Sequence, residues 1–318
     1  MVVDGTCSPT LPVLSGVPQG SVLGPLLFLI FINDVTTQVS EGSFLSLFAD
    51  DMALYRIIRS TADFSVLQCD ISSLSVWIRE NFLSLQPTKC HAMVLTRKSL
   101  PPPEEAFPTL YVEGVPLAYV SSVKYLGILI TSNLSWSQHI SNLQLKVRRL
   151  IGMLYRKFYK NAETNTLLQL YISFIRPHLE YCSAVWDPYL IKDMETLEKT
   201  QKFGLRVCLK DWSSDYTDLL STAKIPTLSS RRSQARLTHI FKIIHQLTDF
   251  PDAPIVPRTF HYHSRFDNSM AIKPFQCRSS QFLHSFFPRT SSQWNSLSSS
   301  MVSQTSIPAF KHSIHAIK

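Results

Sequence analysis

The segment Phe48-Ala49-Asp50-Asp51 constrains this 318-residue chain more than any other, because it sets two adjacent carboxylates between short apolar runs. Leu45-Ser46-Leu47 precedes the acidic pair and Met52-Ala53-Leu54-Tyr55 follows it, so both flanks have strand character and the pair falls where a hairpin turns. Two neighbouring carboxylates repel one another, and one is pushed towards protonation unless a cation lies between them. Magnesium needs only one or two protein carboxylates, with phosphate oxygens and water completing its shell. Two-metal nucleotidyl transfer uses such groups to hold ions roughly 3.5–4 Å apart. Aspartate is also common in turns, so a solvated hairpin end fits the same residues.

About thirty residues earlier stands Ser15-Gly16-Val17-Pro18-Gln19-Gly20-Ser21-Val22-Leu23-Gly24-Pro25, followed by the apolar run Leu26–Ile32. This pattern predicts a Gly/Pro loop running into a buried helix. Gly16 and Gly20 leave the backbone bare where a nucleotide or template base can lie close; Pro18 stiffens the loop and Gln19 offers both donor and acceptor. Together, SGVPQGSVLGPLLFLIFINDV and FADD resemble the reverse transcriptases of non-LTR (LINE-type) retrotransposons, particularly the jockey-like kind. The resemblance continues through Trp77–Leu95 and Val123–Ile130 to Ser285–Thr290 and Trp294–Leu297, near the end of the chain.

The resemblance implies an α+β architecture: a partial polymerase palm, an antiparallel sheet with helices, followed by a mainly α-helical thumb and a C-terminal segment. Residues 1–95 would be the C-terminal part of the palm, 96–135 the palm and primer-grip hairpin, 136–210 the thumb and 211–318 a basic C-terminal segment. Asp50 and Asp51 would be catalytic metal ligands for two magnesium ions. Pro18, Gln19 and Gly20 would line nucleotide and template, and Lys89 would face the triphosphate. Tyr125, Leu126 and Gly127 would grip the primer, although an ordinary buried strand fits those residues equally well. The implied partners are an RNA template, a DNA primer and dNTPs.

In that family the first catalytic aspartate stands on a separate strand well upstream of the glycine-rich loop. Here Asp4 is the only acidic residue before Asp34, and it belongs to the segment just ahead of the loop. Asp50 and Asp51 without a third carboxylate are therefore expected to be inactive alone, because losing one member of a cooperative catalytic unit costs orders of magnitude in rate. An upstream polymerase fragment acting in trans is the partner this expectation calls for. The alternatives are a non-catalytic nucleic-acid-binding remnant and a relic that does not fold stably.

With 45% hydrophobic residues the chain can bury a sizeable core and divides into about two domains. Its six cysteines show no Cys-x-x-Cys spacing and follow no secretory leader, so reduced thiols in an intracellular protein of cytoplasm or nucleus are expected. His261, His263 and His284 lack zinc spacing around Cys277. The longest apolar run is too short to span a bilayer, so no membrane anchor is implied.

The net charge of +8 is unevenly placed: seven Lys and Arg and no acid lie between Ser121 and Lys160. Within that stretch Ile140, Leu143, Val147, Leu150, Ile151, Leu154 and Phe158 recur at helical spacing, predicting a helix over about 137–160. Lys146, Arg149, Arg156, Lys157 and Lys160 form a second stripe on it. A solvated face and a membrane-surface face remain open, but the absence of interspersed acids favours a phosphate backbone, bound with little sequence preference and strong salt dependence. Further helices are expected over 164–175, stopped by Pro177, over 192–209 and over 236–247, with 178–188 a packed connection. From Ala253 onwards seven Lys and Arg face one acid, Asp267. A nucleic-acid contact and a weakly ordered basic end both fit that tail.

Overall fold

The computed structural model describes residues 2–3, 5–7, 16, 20–96, 106–248, 250, 253–258 and 268–315. The chain divides into two compact units, Met1–Ser121 and Ser122–Lys318.

The first unit opens with a short antiparallel pair, β1 (Val2–Val3) and β2 (Thr6–Cys7). Helix α1 (Gly24–Ile32) follows and runs into a 3-10 turn over Asn33–Gln38. The hairpin β3 (Ser43–Phe48) and β4 (Asp51–Arg56) then leads into α2 (Ala62–Glu80). Alternation sets the hairpin's faces: Leu45, Leu47, Met52 and Leu54 turn inward onto Leu74, Trp77 and Ile78 of α2 and onto Ile32 and Val35. A one-residue slip would put those four side chains in water, so burial holds the register. Beyond α2 come β5 (His91–Ala92), β6 (Tyr111–Val112), β7 (Val115–Pro116) and β8 (Ala118–Tyr119). The expected turn at Glu113-Gly114 joins β6 to β7, both residues with positive φ, and β5 pairs with β8 in parallel. Phe64, Ala92, Leu110, Val112 and Leu117 form a second small core there. Among the described residues every ladder is two-stranded, where the sequence reading expects one antiparallel sheet.

Helix α1 departs from its expected burial. Ile32 is buried, but Leu26, Leu27, Leu29 and Ile30 are each about half exposed or more. All nine of its residues are apolar, glycine or proline, so no polar face opposes a buried one and apolar side chains stand in water on the side away from Trp77.

The second unit begins with the hairpin β9 (Ser122–Tyr125) and β10 (Ile128–Thr131) and is otherwise helical: α3 (Ser137–Phe158), α4 (Thr164–Leu170), α5 (Arg176–Glu180), α6 (Ser183–Trp186), α7 (Ile191–Leu209), α8 (Tyr216–Ala223) and α9 (Leu228–Ile244). Ile140, Leu143, Val147, Ile151 and Leu154 of α3 are buried with Leu197 and Leu205 of α7, Tyr171 and Trp186. Gly204 lets α7 pass Tyr171, because a Cβ there would lie 2.6 Å from the ring.

Pro177 does not stop the helical path. A π-helical turn over Tyr171–Ile175 separates α4 from α5, and Pro177 falls in the first turn of α5, where its missing N–H has no bond to lose. Helix α9 starts well before residue 236 because Thr227 accepts a hydrogen bond from the Ser230 N–H and caps it.

Four short helices follow, α10 (Ser280–Leu283), α11 (Phe286–Asn295), α12 (Ser299–Val302) and α13 (Ile307–His315). Trp294, Leu297, Val302, Phe310 and Ile314 pack on Leu237, Ile240 and Phe241 of α9, so this part of the tail is a folded layer. Asn295 both donates to the Ile272 carbonyl and accepts from its N–H, imitating a strand partner. No helix among the described residues is long and apolar enough to cross a membrane.

One buried cluster ties the C-terminal helices to the rest. Asp187, which follows α6, pairs with Arg232 at 2.7 Å, with Arg236 of the same helix α9, and with Arg289 of α11 at 3.2 Å. Arg289 also donates to the Asp187 and Pro188 carbonyls, and Gln293 accepts from Arg236. Removing one partner from a buried ion pair leaves the others desolvated and uncompensated. Asp187→Asn is therefore expected to destabilise this unit by about 3–5 kcal/mol, measured by urea denaturation, while an exposed pair such as Lys199–Glu195 contributes under about 1 kcal/mol.

Candidate functional site

Phe48 and Asp51 face each other across the hairpin, so Ala49 and Asp50 alone make the turn. Ala49 takes φ +52, a left-handed conformation that costs a side-chain-bearing residue about 1–2 kcal/mol and is natural to glycine. Asp50 and Asp51 are both exposed. Asp51 shares the outward face with Phe44, Phe48 and Tyr55, where Phe44 stacks on Tyr55 at 5.1 Å between centroids. The structure thus presents both carboxylates at the tip of a half-buried hairpin.

A third aspartate, which sequence reading missed, fastens the base of that hairpin. Asp70 of α2 is 1% exposed and accepts from the Ser40 N–H (2.8 Å), the Ser40 hydroxyl (2.6 Å) and the Ser43 hydroxyl. Burial pushes its carboxyl up, yet the donors from Ser40 and Ser43, with Arg56 nearby, hold it below the usual value. Arg56 donates to the Glu41 carbonyl and to Ser43, and pairs with Asp63. The signal for Asp70 is its place in the apolar stripe Leu67, Ile71, Leu74, Ile78, where an acid stays buried only when hydrogen-bonded.

Pro18 and Gln19 lie outside the described residues, as does Asp4. Gly16 (φ +81) and Gly20 (φ +83) both need a left-handed backbone, and nothing among the described residues lies within 4 Å of where a Cβ would stand on either. Ser21 Oγ accepts from the Gly24 N–H at the start of α1. Lys89 is exposed at the end of a 3-10 turn, Pro87–Lys89. Among the described residues no hydrogen bond or ion pair joins it to Asp50 or Asp51, and no group of three or more Asp, Glu, His or Cys is placed to hold a metal. The acidic pair suits one hard cation finished by phosphate oxygens and water, whereas bridging two ions needs further oxygen donors.

In the second unit, Tyr125 and Ile128 close a two-residue turn in which Leu126 (φ +45) and Gly127 (φ +82) are both left-handed. Tyr181 donates its hydroxyl hydrogen to the Leu126 carbonyl at 3.0 Å, and a Cβ on Gly127 would meet its ring at 3.3 Å. Turn geometry and this ring already require glycine at 127. Behind the hairpin, the Leu129 N–H donates to Nδ1 of His139 on α3 (3.3 Å), which assigns the proton of that imidazole to Nε2. His139 also packs on Trp186.

Lys146, Arg149, Arg156, Lys157 and Lys160 are all exposed and span an arc of about 100° on α3 and its extension, at about 100° per residue. Lys146 Nζ lies 3.2 Å from His178 Nδ1; the other four have no ion-pair partner among the described residues. They form a one-signed surface.

Comparison with known proteins covers both units. Residues 2–130 match the family described as reverse transcriptase (RNA-dependent DNA polymerase). The chain is 28% identical over 180 residues to the probable RNA-directed DNA polymerase from transposon X-element of Drosophila melanogaster, covering 55% of this chain and 19% of that protein. It is 26% identical to the RNA-directed DNA polymerase from mobile element jockey of Drosophila melanogaster, covering 72% of this chain and 26% of that protein. The jockey enzyme of Drosophila funebris is likewise 26% identical, covering 75% and 27%. The chain spans about a fifth to a quarter of the length of these relatives.

Burial lowers the His139 pKa from its ordinary 6.5, so the unfolded chain takes up a proton there at a higher pH than the folded one. The stability that depends on neutral His139 is complete above about pH 6.5 and declines as pH falls below it. His139→Gln is expected to flatten the loss of stability between pH 6.5 and 5, measured by denaturation at each pH. An unchanged slope would remove His139 from that role.

Proposed function

We propose that this chain, related to the RNA-directed DNA polymerases of jockey-like mobile elements through the reverse transcriptase pattern of residues 2–130, is the C-terminal part of such a polymerase. The observation that carries the reading is the exposed two-residue turn that presents Asp50 and Asp51 at the hairpin tip. Those residues would hold magnesium, which supplies charge neutralisation at the transferred phosphoryl group and activation of the attacking hydroxyl. Pro18, Gln19 and Gly20 line nucleotide and template, Lys89 faces the triphosphate, and Tyr125 to Gly127 touch the primer. The hairpin and helices of residues 1–95, with 96–135, act as palm, and the bundle of 136–210 as thumb.

Because the acidic pair by itself cannot bridge two ions, the remaining carboxylate comes from a polymerase segment outside these 318 residues, joined to the chain or supplied in trans. The isolated chain is then expected not to extend a DNA primer on an RNA template with magnesium and dNTPs. With an upstream fingers-and-palm segment supplied, extension appears; Asp50→Asn lowers it by orders of magnitude and Asp4→Asn does not. Extension by the isolated chain, or equal loss from both substitutions, overturns this assignment.

A second activity, nucleic-acid binding without catalysis, is favoured by the one-signed surface of α3. Cations that neutralise phosphates release counterions, so each phosphate left without its cation shallows the dependence of log affinity on log salt by about 0.9 on B-form duplex. Changing Arg149, Arg156 and Lys160 together to Gln is expected to weaken duplex binding and reduce the slope by about two to three, without altering helicity. The matching triple of Lys192, Lys199 and Lys224 to Gln removes as much charge elsewhere. Equal effects from both triples would reduce the α3 stripe to a solvated face.

A further inference from the structure

The flank of α3 away from Lys146 and Lys157 carries a different chemistry. Tyr155 and Tyr159 lie one turn apart with ring centroids 4.5 Å from each other. The chain leaves α7 through Lys210, whose left-handed backbone (φ +57) turns the following residues back along the helix end. That turn brings the Trp212 indole to Tyr159, Nε1 donating to its hydroxyl at 3.4 Å, and edge-on to Phe203 of α7 at 6.2 Å. Two cations lie over rings of the cluster: Arg148 sits 5.9 Å from the centre of Phe203 and Lys210 5.4 Å from the centre of Tyr159.

Tyr155 is 46% and Trp212 49% exposed, so about half of each residue is open to solvent although its ring also contacts a neighbour. The neighbouring acid, Asp211, is turned into its own loop, where its carboxylate accepts from the N–H groups of Ser213 and Ser214 and from the Ser213 hydroxyl. The cluster thus sets these rings beside Arg148 and Lys210, with Asp215 exposed at the start of α8 and Arg156 between the cluster and the stripe of Lys146, Arg149 and Lys160.

We propose that Tyr155, Tyr159, Trp212 and Phe203, beside Arg148 and Lys210, form a stacking platform for unpaired bases of a single-stranded nucleic acid. Rings fixed in a basic surface are what sequence-tolerant single-strand binding needs: every base has a face to stack, and the cations carry its phosphates. A duplex keeps its bases stacked on one another and offers these rings nothing, so the platform is distinct from a phosphate-tracking stripe. The proposal rests on the nucleic-acid reading of α3 and adds a partner class, the unpaired strand beyond the duplex.

The test uses the full chain with three fluorescein-labelled 20-mers: an oligo-dT strand, the same backbone with abasic sites, and a duplex. The intact strand is expected to bind at least about tenfold tighter than the abasic one. Trp212→Ala and Tyr155→Ala abolish that preference and leave duplex affinity and salt slope unchanged, while Trp212→Phe and Tyr155→Phe retain it. The Arg149, Arg156 and Lys160 to Gln triple weakens all three ligands and keeps the preference for bases. Equal affinity of the unaltered chain for intact and abasic strands overturns the platform, independently of whether any variant folds, and leaves the rings to a protein contact. Failure to bind any of the three overturns both the platform and the phosphate reading.

Discussion

Asp187 carries a burden out of proportion to its size. A carboxylate out of water is stable only if its lone pairs are answered, and here three guanidinium groups from two helices converge on it. Three cations on one anion leave an excess of positive charge, and both terminal nitrogens of Arg232 find no acceptor among the described residues. Such an arrangement is a poor source of stability compared with apolar packing, but it is directional. It specifies how α9 and α11 meet the end of α6, and the apolar layer of Trp294, Phe310 and Phe241 then completes the seam.

The first unit uses the same device on a smaller scale. Asp70 is buried and answered by Ser40 and Ser43, which fixes where β3 begins; inward leucines fix its register, and the tip is thereby placed. Asp50 and Asp51 differ in each respect: they are exposed, on a turn whose alanine adopts a left-handed backbone. Strained backbone persists where the surroundings over-determine it. A buried aspartate answered by the protein is structural; an exposed pair with no hydrogen-bond or ion-pair partner among the described residues is available to a ligand. That contrast separates the candidate site from Asp70 and from Asp63, whose carboxylate is taken up by Arg56 and the Arg59 and Ser60 N–H groups.

The elements legible in the sequence are those written in neighbouring residues. The hairpin at Asp50-Asp51, the turn at Glu113-Gly114 and the long helix ending at Phe158 follow from alternation, turn chemistry and helical spacing within about twenty residues. Pro177 misled because the π-helical turn that accommodates it has no signature in composition. Helix α1 misled because apolar content was equated with burial, when burial also needs something to pack against.

What the sequence determined alone is the local grammar: two carboxylates at a turn, glycines where the backbone must turn left-handed, an apolar stripe on α3 and a run of cations without acids. The tertiary structure decided which polar residues are structural and which are free. Asp70 answers Ser40 from thirty residues away, Asp187 answers Arg232 from forty-five and Arg289 from about a hundred, and Trp212 reaches Tyr159 across fifty-three. The physical reason is that the cost of burying a charge, and the use of leaving a ring bare, depend on partners brought close only by folding. Periodicity reports which side of an element is apolar, but only the packed chain shows what each polar atom on that side meets.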